Sequence, residues 1–226
     1  MESALRLRRD LPGDLSGELT AMAARVAPLA LARERTLAVS DTFAELLPER
    51  GLVRGHTIAC TGVAATSLAL ALVAPAVSAG SWLAAIDVPT IGLDAASEFG
   101  VALERVVAVT TSGNSGTASA AERAARWPDI VAAAADGFDL LLARVPAEVS
   151  ASAMRKVATR LRQRDVVMLV LGDPGALSCD GVLDAGTAEW AGLGDGHGHL
   201  QQRRLVVEAS GRRLHGRRRC HLALPG

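Results

Sequence analysis

Five short, almost unbroken apolar runs constrain this chain more than any other feature: HTIACT (56–61), SWLAAID (81–87), ERVVAVT (104–110), FDLLLAR (138–144) and VVMLVLG (166–172). A strand wetted on one face alternates apolar and polar residues. These runs do not alternate, so they read as strands covered on both faces, the habit of a parallel sheet. Parallel neighbours cannot be joined by a tight turn and need a crossover. The intervening stretches 66–78, 93–99, 127–136 and 151–164 are predicted to supply helices. In the last of these, Met154, Val157, Ala158 and Leu161 share one face, while Arg155, Lys156, Arg160, Arg162 and Arg164 occupy the wet side. The pattern predicts an α/β, three-layer fold: a mostly parallel central sheet flanked by helices, with right-handed crossovers.

The flanks are organised differently. Residues 1–50 read as an amphipathic helix over 17–33, with Ser16 and Glu18 near its start, and an irregular connection ending at Pro48. Residues 51–174 form the predicted core. Segment 110–126, TTSGNSGTASAAERAAR, reads as a loop leading into a helix. Beyond residue 172, GDPGALSCDG is a turn cluster. TAEWAGL, RRLVVEAS and RRRCHLAL, joined by GDGHGH and SGRRLHG, read as antiparallel edge strands of the same domain, over 175–226.

Half of the 226 residues are hydrophobic, enough for one large core, and 24 cations balance 24 anions. A neutral chain is no general electrostatic magnet for nucleic acid or membrane. Cys60, Cys179 and Cys220 lack paired spacing, which fits a reducing cytoplasm. The first residues carry no long apolar stretch, so no signal peptide is expected. The apolar run 68–77 is too short to span a bilayer.

Residues 51–72, GLVRGHTIACTGVAATSLALAL, have the strand–turn–helix layout of a phosphate-binding P-loop without its chemistry. A working loop reads GxxxxGK[ST], with backbone N–H groups around the phosphates, a Lys on their oxygens and a hydroxyl on Mg²⁺. Here Gly62 is followed by Val63, Ala64 and Ala65, then by Thr66 and Ser67. There is no second Gly and no Lys; the chain's one Lys is Lys156. No nucleotide, cofactor or metal is therefore expected, and only a vestigial loop of Gly62, Thr66 and Ser67 remains.

Taken in order, these pieces resemble the core of the RecA recombinase family over residues 36–174. The likeness runs through GLVRG, TSLALAL, IDV after the second strand, FGVALERVVAV, and AMRKVATRLRQRDVVMLVLG. The resemblance implies a catalytic Glu after the second strand, a metal-holding Asp ending the fourth, and a polar γ-phosphate sensor ending the fifth. This chain has Pro89, Ala143-Arg144 and Gly172-Asp173 at those places. Each missing group acts by placing charge against a transferring phosphate, so the resemblance implies a pseudo-enzyme. The stretches WAGLGDGHGHLQQRRLVVEASGRR and RRRCHLALPG are similar to the C-terminal signature of actinobacterial ImuA-type proteins of the DNA-damage mutagenesis cassette. That likeness implies contact with a Y-family polymerase homologue (ImuB-like) and an error-prone C-family polymerase in translesion synthesis, with DNA and RecA as further partners. SulA, a division inhibitor that blocks FtsZ, is a more distant likeness, and a remnant ATPase is the other alternative.

Arg203, Arg204, Arg212, Arg213, Arg217, Arg218 and Arg219 lie close together in sequence. They read either as a basic face for DNA or an acidic partner, or as a solvated edge that discourages aggregation. The cluster lacks the aromatic residues of a base-stacking platform. His197 and His199 with Asp195 lack the further ligands of a metal site and read as a loop tip. Ser67 reads as a helix N-cap rather than a nucleophile. Trp190 reads as an anchor packed on the sheet, with an exposed contact hot spot as the alternative, and Asp87 as a structural residue at a strand end.

Overall fold

The computed structural model describes residues 35–89, 91–113, 118–194, 197–214 and 216–225. The chain divides into two compact units, Met1–Thr36 and Leu37–Gly226. The helix expected over 17–33 lies outside the described residues.

The second unit is built on an eight-stranded sheet. Its strands are β1 (Thr57–Gly62), β2 (Leu83–Ile86), β3 (Val106–Val109), β4 (Leu140–Ala143), β5 (Val167–Leu171), β6 (Gly181–Gly194), β7 (His197–Ser210) and β8 (Arg218–Pro225). The helices are α1 (Asp41–Leu46), α2 (Ala65–Ser78), α3 (Leu93–Glu98), α4 (Ala120–Ala134) and α5 (Ala151–Gln163). The strand order is β8-β7-β6-β1-β5-β4-β2-β3. The six strands from β6 to β3 are mutually parallel, β7 runs against β6, and β8 runs against β7.

The pleat sorts successive side chains to opposite faces. Leu83, Leu140, Leu142, Val167, Leu169 and Leu171 enter one core with α1, α2 and α3. Ala84, Ile86, Leu141, Ala143, Met168 and Val170 enter the other with α4 and α5. Every residue of β4 and β5 is buried, which is why the sequence shows no alternation there. Helix α2 is apolar around most of its circumference and buries eight of its 14 residues, from Leu68 to Val77, in the first core.

Four expectations change. Strand β3 is an edge, not a strand buried on both faces, and Val107 is 39% exposed. The C-terminal extension is not wholly antiparallel: β6 begins at Gly181 and pairs in parallel with β1, Ile58 opposite Gly181 and Gly62 opposite Ala185. Asp184 breaks the apolar run that would have announced this strand, and its carboxylate is satisfied by the Thr61 hydroxyl of β1. Helix α4 starts at Ala120, seven residues before the expected start. Its capping box has Glu122 N–H donating to Ser119 Oγ at 3.2 Å and Ser119 N–H donating to Glu122 Oε2 at 2.8 Å. Residues 197 and 199 fall within β7 rather than in a loop tip; Asp195 is outside the described residues.

Candidate functional site at the carboxyl edge of the sheet

Parallel strands bring their carboxyl ends to one edge, where open α/β sheets take ligands. Here the ends of β1, β5, β4, β2 and β3 stand side by side and carry two hollows that share Arg144.

The first hollow is a cleft of about 430 Å³ around the start of α2, lined by Gly62 to Ser67, Arg144, Leu171, Gly172 and Arg203. Gly62 has φ +86°, and a Cβ there would meet the Ala185 carbonyl oxygen at 2.3 Å. Val63 N–H donates to that same oxygen at 3.1 Å. The turn is thus pressed onto β6 instead of curling around an anion. Ala64, not Ser67, caps α2, and no side chain closes the cap. Ser67 stands three residues inside, so the expected N-cap role is corrected. Among the described residues the N–H groups of Ala65, Thr66 and Ser67 have no protein acceptor, as the first turn of an uncapped helix leaves them.

A cation from another strand reaches this turn. Arg203 of β7 donates from Nη2 to the Val63 carbonyl at 3.2 Å, and its buried Nε has no hydrogen-bond partner. Its guanidinium lies over the Trp190 ring, 5.0 Å from the centroid. Trp190 is 48% exposed, so it is a stacking surface for Arg203 and not an anchor sunk in the sheet. Arg144 lies at the end of β4. Only its backbone is bonded, N–H to the Ile86 carbonyl and C=O from Trp127 Nε1 at 2.9 Å; its guanidinium has no ion-pair or hydrogen-bond partner among the described residues.

The second hollow, about 570 Å³, opens between the ends of β2, β3 and β4. Its wall is largely apolar, with Val88, Pro89, Val109, Val145 and Pro146, and its charged groups are Asp87, Arg123 and Arg144. Asp87 holds a left-handed backbone, φ +52°. Its two carboxylate oxygens accept from Thr111 N–H at 2.8 Å and Thr111 Oγ1 at 2.6 Å, and Thr111 is fully buried. These bonds tie the ends of β2 and β3 together, a structural role.

The sequence cluster of arginines does not form one patch. Arg203 faces the carboxyl edge, whereas Arg204 beside it on the strand is exposed next to Glu189 and His221. Seven residue steps along β7 take the chain from Arg203 to Ser210, about 23 Å. Beyond that strand, Arg212 Nη2 donates to Ser178 Oγ, and Arg213 pairs with Asp180 at 3.2 Å and meets His56 Nε2 at 3.2 Å. Arg217 is extended toward Glu208 at 4.0 Å with 82% of its side chain exposed. Arg218 donates to the Glu45 carbonyl, and Arg219 is exposed on β8.

The cysteines are not poised for chemistry. Burial pushes the Cys60 thiol up to about 12 and Cys179 up to about 11, and raises Cys220 as well. Among the described residues no three His, Cys, Asp or Glu side chains gather to hold a metal. Nor, among them, is any helix long and apolar enough to cross a membrane.

The architecture defines an α/β protein with a large mixed sheet, parallel at its centre and flanked by helices on both faces. Residues 45–175, more than half of the chain, match the MT3502 N-terminal domain family, and the chain belongs to that family. The matched stretch includes β1 through β5 and stops short of β6. No curated protein matches the chain.

Proposed function

We propose that this protein is a non-catalytic, RecA-like accessory factor of SOS-induced translesion synthesis. In this reading it acts by contact with a Y-family polymerase homologue and an error-prone C-family polymerase, and through its exposed arginines with DNA. The observation that carries the reading is Arg144. A RecA-like ATPase holds Mg²⁺ with an acid at the end of the fourth strand, and this chain puts there a guanidinium without a partner among the described residues. A fixed cation repels a divalent metal at that distance instead of binding it. Pro89 stands where the water-activating carboxylate belongs, and the Gly62 turn lies against β6. The strand order, with the ends of β1, β5, β4 and β2 adjacent, supports a RecA-like ancestry for a core without its chemistry. The likeness of residues 190–226 to the ImuA-type signature supports the choice of partners.

The test is recovery of the tagged full chain from DNA-damaged cells, with labelled ATP and Mg²⁺ titrated in parallel. Co-purification of the Y-family homologue without nucleotide binding is the expected result. FtsZ in its place would replace this reading with a SulA-like one, and saturable micromolar ATP binding would replace it with a remnant ATPase.

A further inference from the structure

The hollow between β2, β3 and β4 has the make-up of a small-molecule site, independently of what the vestigial loop does. At about 570 Å³ it falls within the roughly 300–1,000 Å³ of such sites, which pair an apolar wall with a few convergent polar groups. It also lies where chain exits diverge. β2 leads through Val88 and Pro89 to α3 on one face of the sheet, whereas β3 and β4 lead to α4 and α5 on the other. That divergence opens a crevice at the carboxyl edge.

The charges in it are unequal. Arg123 and Arg144 bring two cations, and the one carboxylate, Asp87, already accepts from Thr111 with both oxygens. Among the described residues Arg123 donates from Nη1 only to the Ala118 carbonyl, at 3.0 Å. Arg144 makes no side-chain bond among the described residues. Two guanidinium groups beside an apolar wall favour a partner that offers an oxyanion to their forked donors and a hydrocarbon surface to the wall.

We propose that this cavity binds a small organic anion, an apolar body bearing one carboxylate or phosphate, with Arg144 and Arg123 holding the charged end and Val88, Pro89, Val145 and Pro146 receiving the body. Arg144 lines both hollows, so Arg203, which lines only the neighbouring cleft, is the residue that tells them apart.

Calorimetric titration of the full chain at low salt with 1-naphthoate and 1-naphthyl phosphate tests this, with 1-naphthylmethanol as the uncharged control and inorganic phosphate as the control without a body. Saturable binding of a naphthyl anion, on the order of 1 mM or tighter, is expected, with both controls at least tenfold weaker. The stronger of the two anions identifies the head group. Arg144→Gln should weaken binding roughly tenfold or more. Ala108→Phe, which fills the mouth from the exposed β3 edge and leaves the charges in place, should do the same. Arg203→Gln should leave binding unchanged. The proposal is overturned if neither anion saturates, if the alcohol binds equally, or if Arg203→Gln abolishes binding while Ala108→Phe does not, which would move the anion to the cleft at α2.

Discussion

The two edges of the sheet use charge in opposite ways. At the amino edge two carboxylates are committed to the fold. Asp139, before β4, pairs with Arg54 at 3.2 Å and accepts Trp82 N–H at 3.1 Å. Asp180, before β6, accepts Thr57 N–H at 2.9 Å and pairs with Arg213. At the carboxyl edge Arg144 has no side-chain partner among the described residues, and Arg203 leaves its Nε unsatisfied. A strand's amino end needs its first N–H groups closed, and side-chain carboxylates do that here. The carboxyl end has been left with donors looking outward, which is how a surface meets something that is not part of the chain.

The carboxyl edge is open in charge but not loose in backbone, and its two glycines separate these properties. Gly62→Ala would place a Cβ 2.3 Å from the Ala185 oxygen at φ +86°, so clash and left-handed strain add, to about 3 kcal/mol or more. Gly172 has φ +82° with nothing within 4 Å. Its alanine variant meets only the conformational cost, about 1–2 kcal/mol. Denaturant unfolding of both variants measures the difference. Equal losses would mean that the turn after β1 is not pinned to β6.

Next in size is a direct contest between the edges. Asp180→Ala removes the acceptor of the buried Thr57 N–H and the partner of Arg213, and should cost about 2–3 kcal/mol. Arg144→Gln removes no side-chain bond among the described residues and should stay within about 0.5 kcal/mol of the parent. If Arg144→Gln unfolds as easily as Asp180→Ala, Arg144 is structural and the contrast between the edges fails.

Much of the fold was legible because burial leaves a plain mark. Strands β4 and β5, dry on both faces, and helix α5, with its single apolar face, lie within two residues of their predicted bounds. The errors have local causes. Asp184 hid the start of β6, since a polar residue bonded to Thr61 inside a sheet looks like a turn in sequence. The start of α4 carried a readable signature, Ser119-Ala-Ala-Glu122, inside a stretch rich enough in Ser and Gly to pass for a loop. The site was less legible. That no Lys follows Gly62 can be read directly from the sequence, but Arg203 reaches Val63 across 140 residues of sequence. No spacing rule announces a cation supplied from a strand on the far side of the parallel set. The arginine run is shared out along a strand and the turn after it, a placement that closeness in sequence does not reveal.

The smallest predicted effect probes the amino edge through His56. Its ring is half-buried, and burial holds its pKa below the ordinary 6.5. Asp180 and Glu49 pull the other way, while Arg213 and Arg162 reinforce the depression. The Arg213 guanidinium can only donate, so Nε2 must accept, and a proton there would remove the acceptor and set two cations face to face. Above about pH 7 the ring is neutral in both states and contributes no pH dependence. As pH falls through 6.5 the unfolded chain takes up the proton first, so stability is lost progressively until the folded pKa is reached. His56→Gln keeps an acceptor for Arg213 and cannot titrate. Thermal unfolding between pH 7.5 and 5 should therefore show a shallower decline in the variant than in the parent. Parallel declines would mean that His56 is not part of what holds this edge closed.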